Sequence, residues 1–337
     1  MRQFEKPPAP LTGRRPVPAA AVIAVTAAAL LTGCGSQATG SAGSAGSAGG
    51  SGAPTASVSA GPCGVPSAPP TGGAQAPEGL ARDGVRITAV SPVCAEYEVT
   101  NPGTEPYDVT VLFSLAPAGP DSARNVPRTA VAVAPGATVK DRIDLPAAGP
   151  ARPGTVPKVR ILKVRSVPTA EAPHPDGPCP ASGLRVYTDD GDAAMGLRVA
   201  GLHLRNCGTA AVALDGYPTL QLLDEGHRPV DGVRLQSGGA GIATGTGADN
   251  PPEKISLRPG EGARAALVWR NTTGDGTAVN APYVRVRATP GAAPVMVVPE
   301  LDLGTTGSLG VGAWAREDAN AAPPATRPPG PGLGLSG

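Results

Sequence analysis

The sequence predicts an all-β protein with two tandem Ig-like β-sandwich domains. Three observations support this fold class. Short segments alternate apolar and polar residues with a period of two, which is typical of half-buried strands. Glycine and proline, 47 and 41 of the 337 residues, interrupt these segments where turns are expected. The candidate strands also fall into two stretches that repeat each other, whereas no segment after residue 33 has the 3.6-residue apolar stripe of a helix.

The predicted strands have the length of ordinary strands in globular proteins. In the first stretch they cover residues 85–90, 95–99, 109–113, 131–133 and 159–164. In the second stretch they cover residues 202–204, 220–223, 265–269 and 284–287.

The two stretches match in order and spacing. Each has a strand, an Asn-x-Gly-Thr turn at Asn101 or Asn206, and a further strand. A Pro-Gly turn at Pro135 or Pro259 follows, between two more strands. The second stretch has about 19 additional residues, mostly in the glycine-rich segment "QSGGAGIATGTGADNPPE". Repetition of this kind indicates two related domains.

The first 33 residues have the composition of an export signal. A basic region ends at Arg14-Arg15, a mostly apolar run covers residues 19–31, and Thr32-Gly33-Cys34 follows. Such a run makes a helix of ~20 Å, shorter than the ~30 Å hydrocarbon core, which indicates a signal peptide rather than a membrane span. Leu31-Thr32-Gly33-Cys34 resembles the lipobox of bacterial lipoproteins. This resemblance implies that Cys34 is lipidated and becomes the first mature residue, anchored at the outer face of the cytoplasmic membrane.

Two alternatives for this segment stay open. It could be an ordinary secretory signal in which Cys34 is incidental, although the small neighbours of the cysteine and the flexible segment after it favour the lipobox. Arg14-Arg15 could belong to a twin-arginine signal, but Pro16-Val17-Pro18 follows where that motif prefers bulky residues.

Both ends of the chain are predicted to be disordered. Residues 35–62 contain three Ser-Ala-Gly units and residues 318–337 are rich in proline and glycine, so neither segment can bury enough apolar surface to fold. The resulting domain plan is a signal peptide at 1–33, anchor and tether at 34–62, a first sandwich at 63–170, a connector at 171–178, a second sandwich at 179–317 and a tail at 318–337.

The four cysteines other than Cys34 lie two in each stretch: Cys63 and Cys94, then Cys179 and Cys207. An even number of cysteines in an exported chain suggests disulfides, and three pairings are open. Pairing within each half is the natural arrangement. Metal binding is the competing interpretation, but there is no Cys-x-x-Cys and no neighbouring histidine.

The charge of the chain argues against nucleic-acid partners. The formal net charge is +1 and only 16% of residues are charged, so the sequence has no electrostatic footprint for nucleic acid. It also has no polybasic stripe, and we expect the folded part not to bind anionic lipid by charge. The predicted membrane contact is the lipid on Cys34, and no cofactor is indicated.

The second stretch resembles a known family. The opening Cys179, the Asn206-x-Gly208 turn, Gly216-Tyr217-Pro218, "LVWRN" at 267–271 and "NAPYVRV" at 280–286 are similar to a domain of unknown function, number 4232, found in actinobacterial lipoproteins and other envelope proteins. The resemblance covers about residues 179–316. It implies a β-sandwich and an envelope location, and it implies no activity. Many members place the second cysteine just before the Gly-Tyr-Pro strand, so the family's bridge geometry is not carried over.

No catalytic motif is evident. His174, His203 and His227 have no partnered nucleophile, and solvated or structural roles are expected for all three. Asp189-Asp190-Gly191-Asp192 lacks the spacing of a calcium loop and predicts a hairpin turn. Four aromatic residues could line a groove but are expected in the core: Tyr217, Trp269, Tyr283 and Trp314.

The sequence therefore favours a tethered, non-enzymatic binding or structural module of the cell envelope. The glycine-rich segment at 236–250 is expected to be a long mobile loop and a recognition surface. The alternative is an exported enzyme or enzyme accessory with a site between the two domains. Grouped polar side chains in a deep interdomain cleft would favour the enzyme, and a shallow apolar patch beside the loop would favour the binding module.

Overall fold

The described part of the chain is built from strands. The computed structural model describes Cys63 and residues 79–116, 123–145 and 157–317. Apart from one 3₁₀ turn at Thr169–Glu171, its regular elements are all strands, which confirms the all-β class. The predicted signal peptide, tether and tail lie outside the described residues, and so does Cys34.

The first half forms two facing sheets. One has the order β1-β2-β3-β6 and the other β5-β4-β7. Their inward side chains form one core, in which Tyr97 and Phe113 are in contact with ring centroids 4.8 Å apart. The strands are β1 Ala81–Arg82, β2 Val85–Val90, β3 Cys94–Thr100, β4 Tyr107–Ala116, β5 Arg124–Val133, β6 Thr138–Asp144 and β7 Lys158–Pro168.

The second half has its own core between a large sheet, ordered β13-β20-β15-β10-β8, and the pairs and triplets that face it, β11-β14 and β12-β17-β18. Its strands are β8 Leu184–Thr188, β9 Asp192–Ala194, β10 Leu197–Asn206, β11 Val212–Asp215, β12 Thr219–Leu223, β13 Arg234–Ser237, β14 Lys254–Leu257, β15 Gly262–Arg270, β16 Asn280–Ala281, β17 Tyr283–Arg287, β18 Val295–Val297, β19 Leu301–Asp302, β20 Ser308–Val311 and β21 Ala315–Arg316.

The internal repeat is present in the strand pairing. In the first half β3 pairs with β2 and β6, while β4 pairs with β5 and β7. In the second half β10 pairs with β8 and β15, while β11 pairs with β14 and β12 pairs with β17. The segment Gly216-Tyr217-Pro218 divides the counterpart of β4 into β11 and β12. Each half is therefore a sandwich of the same plan, and the Ig-like classification stays a prediction.

A buried asparagine ties the repeated turns together in the same way in both halves. The Asn101 amide donates to the carbonyls of Glu105 and Val133, at 2.8 and 2.7 Å, and its oxygen accepts from the Gly103 amide.

Asn206 repeats this pattern. Its amide donates to Ala210 and Leu257, at 2.8 and 2.9 Å, and its oxygen accepts from Gly208. Both side chains connect the Asn-x-Gly-Thr turn to the strand before the Pro-Gly turn. The two sequence motifs therefore recur together because one side chain bonds to both segments.

Both disulfides pair within their halves, as expected. Cys63 bonds Cys94 and Cys179 bonds Cys207, closing loops of 31 and 28 residues. On the loop-entropy argument each closure contributes about 3 to 4 kcal/mol to the free energy of unfolding.

Candidate functional site

The two halves meet at a packed junction. Residues of both halves form a small buried cluster around the end of β7: Val167, Ala172, Leu223, Tyr283 and Met296. The described residues belong to one compact unit, and this cluster lies where the two cores adjoin.

Side chains of the second half form hydrogen bonds with backbone groups at the end of β7. The Ser166 amide donates to the Tyr283 hydroxyl at 3.1 Å, and the Ser166 carbonyl accepts from Nε2 of His227 at 2.9 Å. Edge strands otherwise present unpaired backbone groups of this kind to solvent. Burial lowers the pKa of His227, so the neutral ring donates here, and it packs edge-on against Tyr283 at 4.6 Å. His227 is thus structural, as expected.

Ion pairs join the halves beside this contact. Nε and Nη2 of Arg165 donate to the two Glu300 oxygens at 2.8 and 2.9 Å, and Nζ of Lys163 lies 3.0 Å from the same carboxylate. A bidentate pair of this kind fixes orientation as well as charge. Glu171 and Arg285 form a second cross-junction pair at 2.7 Å.

Two residues that reach across the junction have left-handed backbones. His227 has φ of 59° and Glu300 has φ of 56°. This conformation is unfavourable for residues other than glycine and persists only where the surroundings impose it. The junction therefore holds both side chains in place at a cost to their backbones.

A groove of about 370 Å³ opens beside the junction. Its first-half wall is the outward face of the β4-β5-β7 sheet, and its second-half wall comes from the segments around 189–190 and 298–300. Its lining includes Thr110, Leu112, Pro127, Lys163, Arg165, Asp190 and Glu300. Polar side chains are grouped here, but Lys163, Arg165 and Glu300 already satisfy one another. The groove therefore combines partnered charged side chains with the hydroxyl and apolar side chains of β4 and β5.

The outward face of the β4-β5-β7 sheet carries a row of cations, although the sequence predicted no polybasic stripe. β7 contains a bulge at Leu162, since Leu112 pairs with Lys163 and Phe113 pairs with Ile161. The bulge resets the alternation, so that the core side chains are Val159, Ile161 and Val164 and the outward ones are Lys158, Arg160, Lys163 and Arg165. The row cannot be recognised in the sequence "KVRILKVR", because its basic residues do not keep a strict period of two.

His203 is buried on the outward face of β10, between two carboxylates. Nε2 lies 3.1 Å from Oδ2 of Asp189, and Nδ1 lies 2.5 Å from Oε1 of Glu317. The ring stacks on Tyr187 with centroids 5.1 Å apart. Burial by itself lowers the pKa of His203, but the hydrogen bonds to Asp189 and Glu317 outweigh it, and the pKa is raised. Both ring nitrogens are occupied, so His203 has no free nitrogen to act as a general base.

The prediction of a hairpin turn at Asp189–Asp192 is wrong. β8 and β9 both pair with β10, so the segment between them is an interruption in one edge of the sheet. The Asp189 carboxylate fills the interruption by accepting from the Gly191 and Gly201 amides, at 3.1 and 2.7 Å. The hairpin turn comes later, at Met195-Gly196.

The segment at 236–250 packs partly against the sheet, and its expected role as a recognition surface stays a prediction. Gln236 and Ser237 belong to β13, and the rest folds back onto the outward face of β15. Ala248 is buried against Ala266 and Val268, and the Gly239 amide donates to Asp249 at 2.8 Å. This segment, 238–250, is the insertion of the second half. It covers apolar surface, because β15 is apolar on both faces.

Three of the four aromatic residues expected in the core are buried. Trp269 donates to Asp302 at 2.7 Å, Trp314 donates to the Ala288 carbonyl at 3.1 Å, and Tyr283 lies in the junction. Tyr217 is partly exposed. His174 is exposed in the connector.

Within the described ranges no three metal-ligating side chains come together as a metal site. In the same part of the chain, no helix is long and apolar enough to cross a bilayer.

One comparison with known proteins gives a match. Residues 179–315 match the family described as Domain of unknown function (DUF4232), which confirms the resemblance over the second half. No curated protein matches the chain. The match extends over the strands from β8 to β20 and includes the buried Asn206, Trp269 and Tyr283.

Proposed function

We propose that this chain is a bacterial lipoprotein of the actinobacterial kind, held at the outer face of the cytoplasmic membrane by lipid on Cys34. In this proposal its folded part is a non-enzymatic binding or structural module of the cell envelope. The family match at residues 179–315 supports an envelope role through the resemblance, and the basic leader before Leu31-Thr32-Gly33-Cys34 supports the anchor.

The observation that carries the anchor is the use of the cysteines. Four of the five cysteines are paired in two disulfides, one in each half. Cys34 is the fifth, and it lies in the lipobox-like sequence. Two acyl chains on such a cysteine would give stable attachment, whereas one chain would bind only marginally.

Fractionation of cells that express the full chain tests the anchor. Cys34→Ala should release the protein into the medium, and the wild-type amino-terminal peptide should begin at a diacylated Cys34 by mass spectrometry. The matched control is the double variant Cys63→Ala/Cys94→Ala, which also removes cysteine but should stay membrane-bound. Unchanged membrane retention of Cys34→Ala would refute the lipid anchor.

A binding role is favoured by the form of the junction. The buried cluster, the Arg165–Glu300 pair and the Ser166 contacts hold the halves together while one sheet face stays open beside them. A fixed pair of domains with an open groove suits recognition of an extended partner.

The second candidate is an exported enzyme or enzyme accessory that acts in the same groove. The grouping of Lys163, Arg165, Asp190 and Glu300 is the observation that favours it. Asp190→Asn distinguishes the two without removing a junction contact, since an enzyme would lose turnover of its substrate and a binding module would lose only partner retention in a pulldown from intact envelopes.

A further inference from the structure

We propose that the outward face of the β4-β5-β7 sheet binds an acidic polysaccharide, with the polymer lying along β7. This inference names the ligand class of the binding module proposed above and rests on that proposal. Its basis is the row formed by Lys158, Arg160, Lys163 and Arg165, defined here as the basic row.

The basic row is held in place by the bulge in β7. The side chain of Arg82 donates to the carbonyl of the bulged Leu162, which fixes the extra residue on the edge of the strand. Alternate residues of a strand lie about 7 Å apart on one face, so the row is linear rather than a broad patch. A linear row of cations is complementary to a polymer with repeated negative charges.

The charges of the two first-half sheets differ sharply. On the outward face of β3 and β6, cations and carboxylates alternate, as in the Arg86–Glu98–Lys140 set with distances of 2.6 and 3.4 Å. On the β4-β5-β7 face, the outward residues of β4 and β5 include one charged side chain, Asp108, which lies at the junction end and accepts from the Ala132 amide and the Thr169 hydroxyl. Lys158 and Arg160 are exposed, and neither has an ion-pair partner among the described residues.

Two pairs of hydroxyl and amide side chains lie beside the basic row, separated by the apolar pair Leu112–Pro127. Thr110 and Thr129 face each other across β4 and β5 with their hydroxyl oxygens 3.0 Å apart, and Ser114 lies opposite Asn125. Such groups are suited to sugar hydroxyls. The outward positions of these strands contain no aromatic ring on which a nucleic-acid base could stack, which favours a polysaccharide over a single-stranded nucleic acid.

The second half borders one end of this face with carboxylates. Pro299 and Glu300 form a wall beside Lys163, and Asp189 and Asp190 belong to the same wall. The wall also marks one end of the site, because Glu300 already neutralises Arg165.

Binding of the full chain to polygalacturonate, a linear carboxylate polymer, tests the inference. Lys158→Glu/Arg160→Glu should weaken binding about tenfold or more, since it reverses two charges at the open end of the row. Lys140→Glu/Arg142→Glu is the matched control, with the same charge change on the opposite sheet, and should bind as the wild type does. Binding should also weaken as salt rises.

Several results would overturn the inference. They are absence of wild-type binding at low salt, equal losses in both double variants, or binding to anionic phosphatidylglycerol vesicles or to single-stranded DNA as tight as to the polymer. The anchor is tested separately, because Cys34→Ala should bind polygalacturonate normally. Loss of anchoring with retained binding would refute only the anchor, and the reverse result would refute only the polysaccharide site.

Discussion

Glu98 and His203 occupy equivalent positions in the two halves, three residues before the buried asparagine and facing outward. Glu98 lies between two cations, Arg86 and Lys140, at the surface of the first half. His203 lies between two carboxylates, Asp189 and Glu317, and is only 3% exposed. The charges are inverted at this position, and the two cations beside Glu98 are exposed whereas the His203 ring is buried.

The neighbouring positions explain this difference. β6, "TVKDRID", alternates and keeps one face polar, whereas β15, "GARAALVWR", is apolar on both faces. Asp144 of the first half is exposed, and its equivalent Val268 is fully buried under the insertion. The comparison teaches that the additional residues of the second half serve to cover an apolar outward face.

The largest predicted effect comes from exchanging these equivalent residues. Val268→Asp places an unpaired carboxylate in a buried site and should lower the free energy of unfolding by about 4 kcal/mol or more. Asp144→Val should change it by no more than about 0.5 kcal/mol, because the site is solvated. Chemical denaturation of both variants measures this. A mild effect of Val268→Asp would show that the outward face of β15 is open.

The next largest effect concerns the buried asparagine that both halves have. Asn101→Ala and Asn206→Ala should each cost about 3 kcal/mol, since each removes three buried hydrogen bonds and leaves their partners unsatisfied. Asn125→Ala, at an exposed site of β5, is the control and should cost little. The unfolding free energy of each variant is the readout. Unequal costs at Asn101 and Asn206 would contradict the equivalence of the two halves.

A smaller effect depends on pH and belongs to the second half. The pKa of His203 is raised in the folded state, so its protonated form contributes stability that is complete below the unfolded value of about 6.5 and is lost as pH rises through the folded pKa. His203→Gln should remove this loss of stability at alkaline pH. The expected size is about 2 kcal/mol, the contribution of hydrogen bonds to a charged group. Thermal unfolding across neutral and alkaline pH measures it.

Glu98→Gln is the matched variant for this prediction. The hydrogen bond to Arg86 lowers the pKa of Glu98, so any stability from this set is lost on the acid side, as pH falls. The variant should therefore keep the full alkaline loss of the wild type. If the loss of stability at alkaline pH persists in His203→Gln, that loss comes from groups other than His203.

Much of the fold is predictable from local pattern. The alternation predicts the main strands of both cores, and the 85–90 strand has the observed bounds. The repeat predicts matching topology because Asn101 and Asn206 make the same hydrogen bonds, to their own turn and to the strand before the Pro-Gly turn. The disulfide pairing follows from the position of two cysteines in each half.

The candidate site depends on features that a period of two does not reveal. The bulge at Leu162 changes the side on which Lys163 and Arg165 emerge, and it hides the basic row. The contacts of His203 require Glu317, which is 114 residues away along the chain. The packing of Ala248 and Gly239 against β15 depends on β15 being apolar on both faces, and the continuous run "AALVW" is the signal that could have predicted it.

Hydrogen exchange of the intact chain tests most directly whether the insertion is a cover. The amides of Gly238, Gly239 and Ala243 donate to Val311, Asp249 and Gly239, at 2.7, 2.8 and 2.9 Å. The account predicts that these amides are protected and that Val268→Asp releases them together with β15. Exchange of these amides at the rate of an unstructured peptide in the wild-type protein would contradict it.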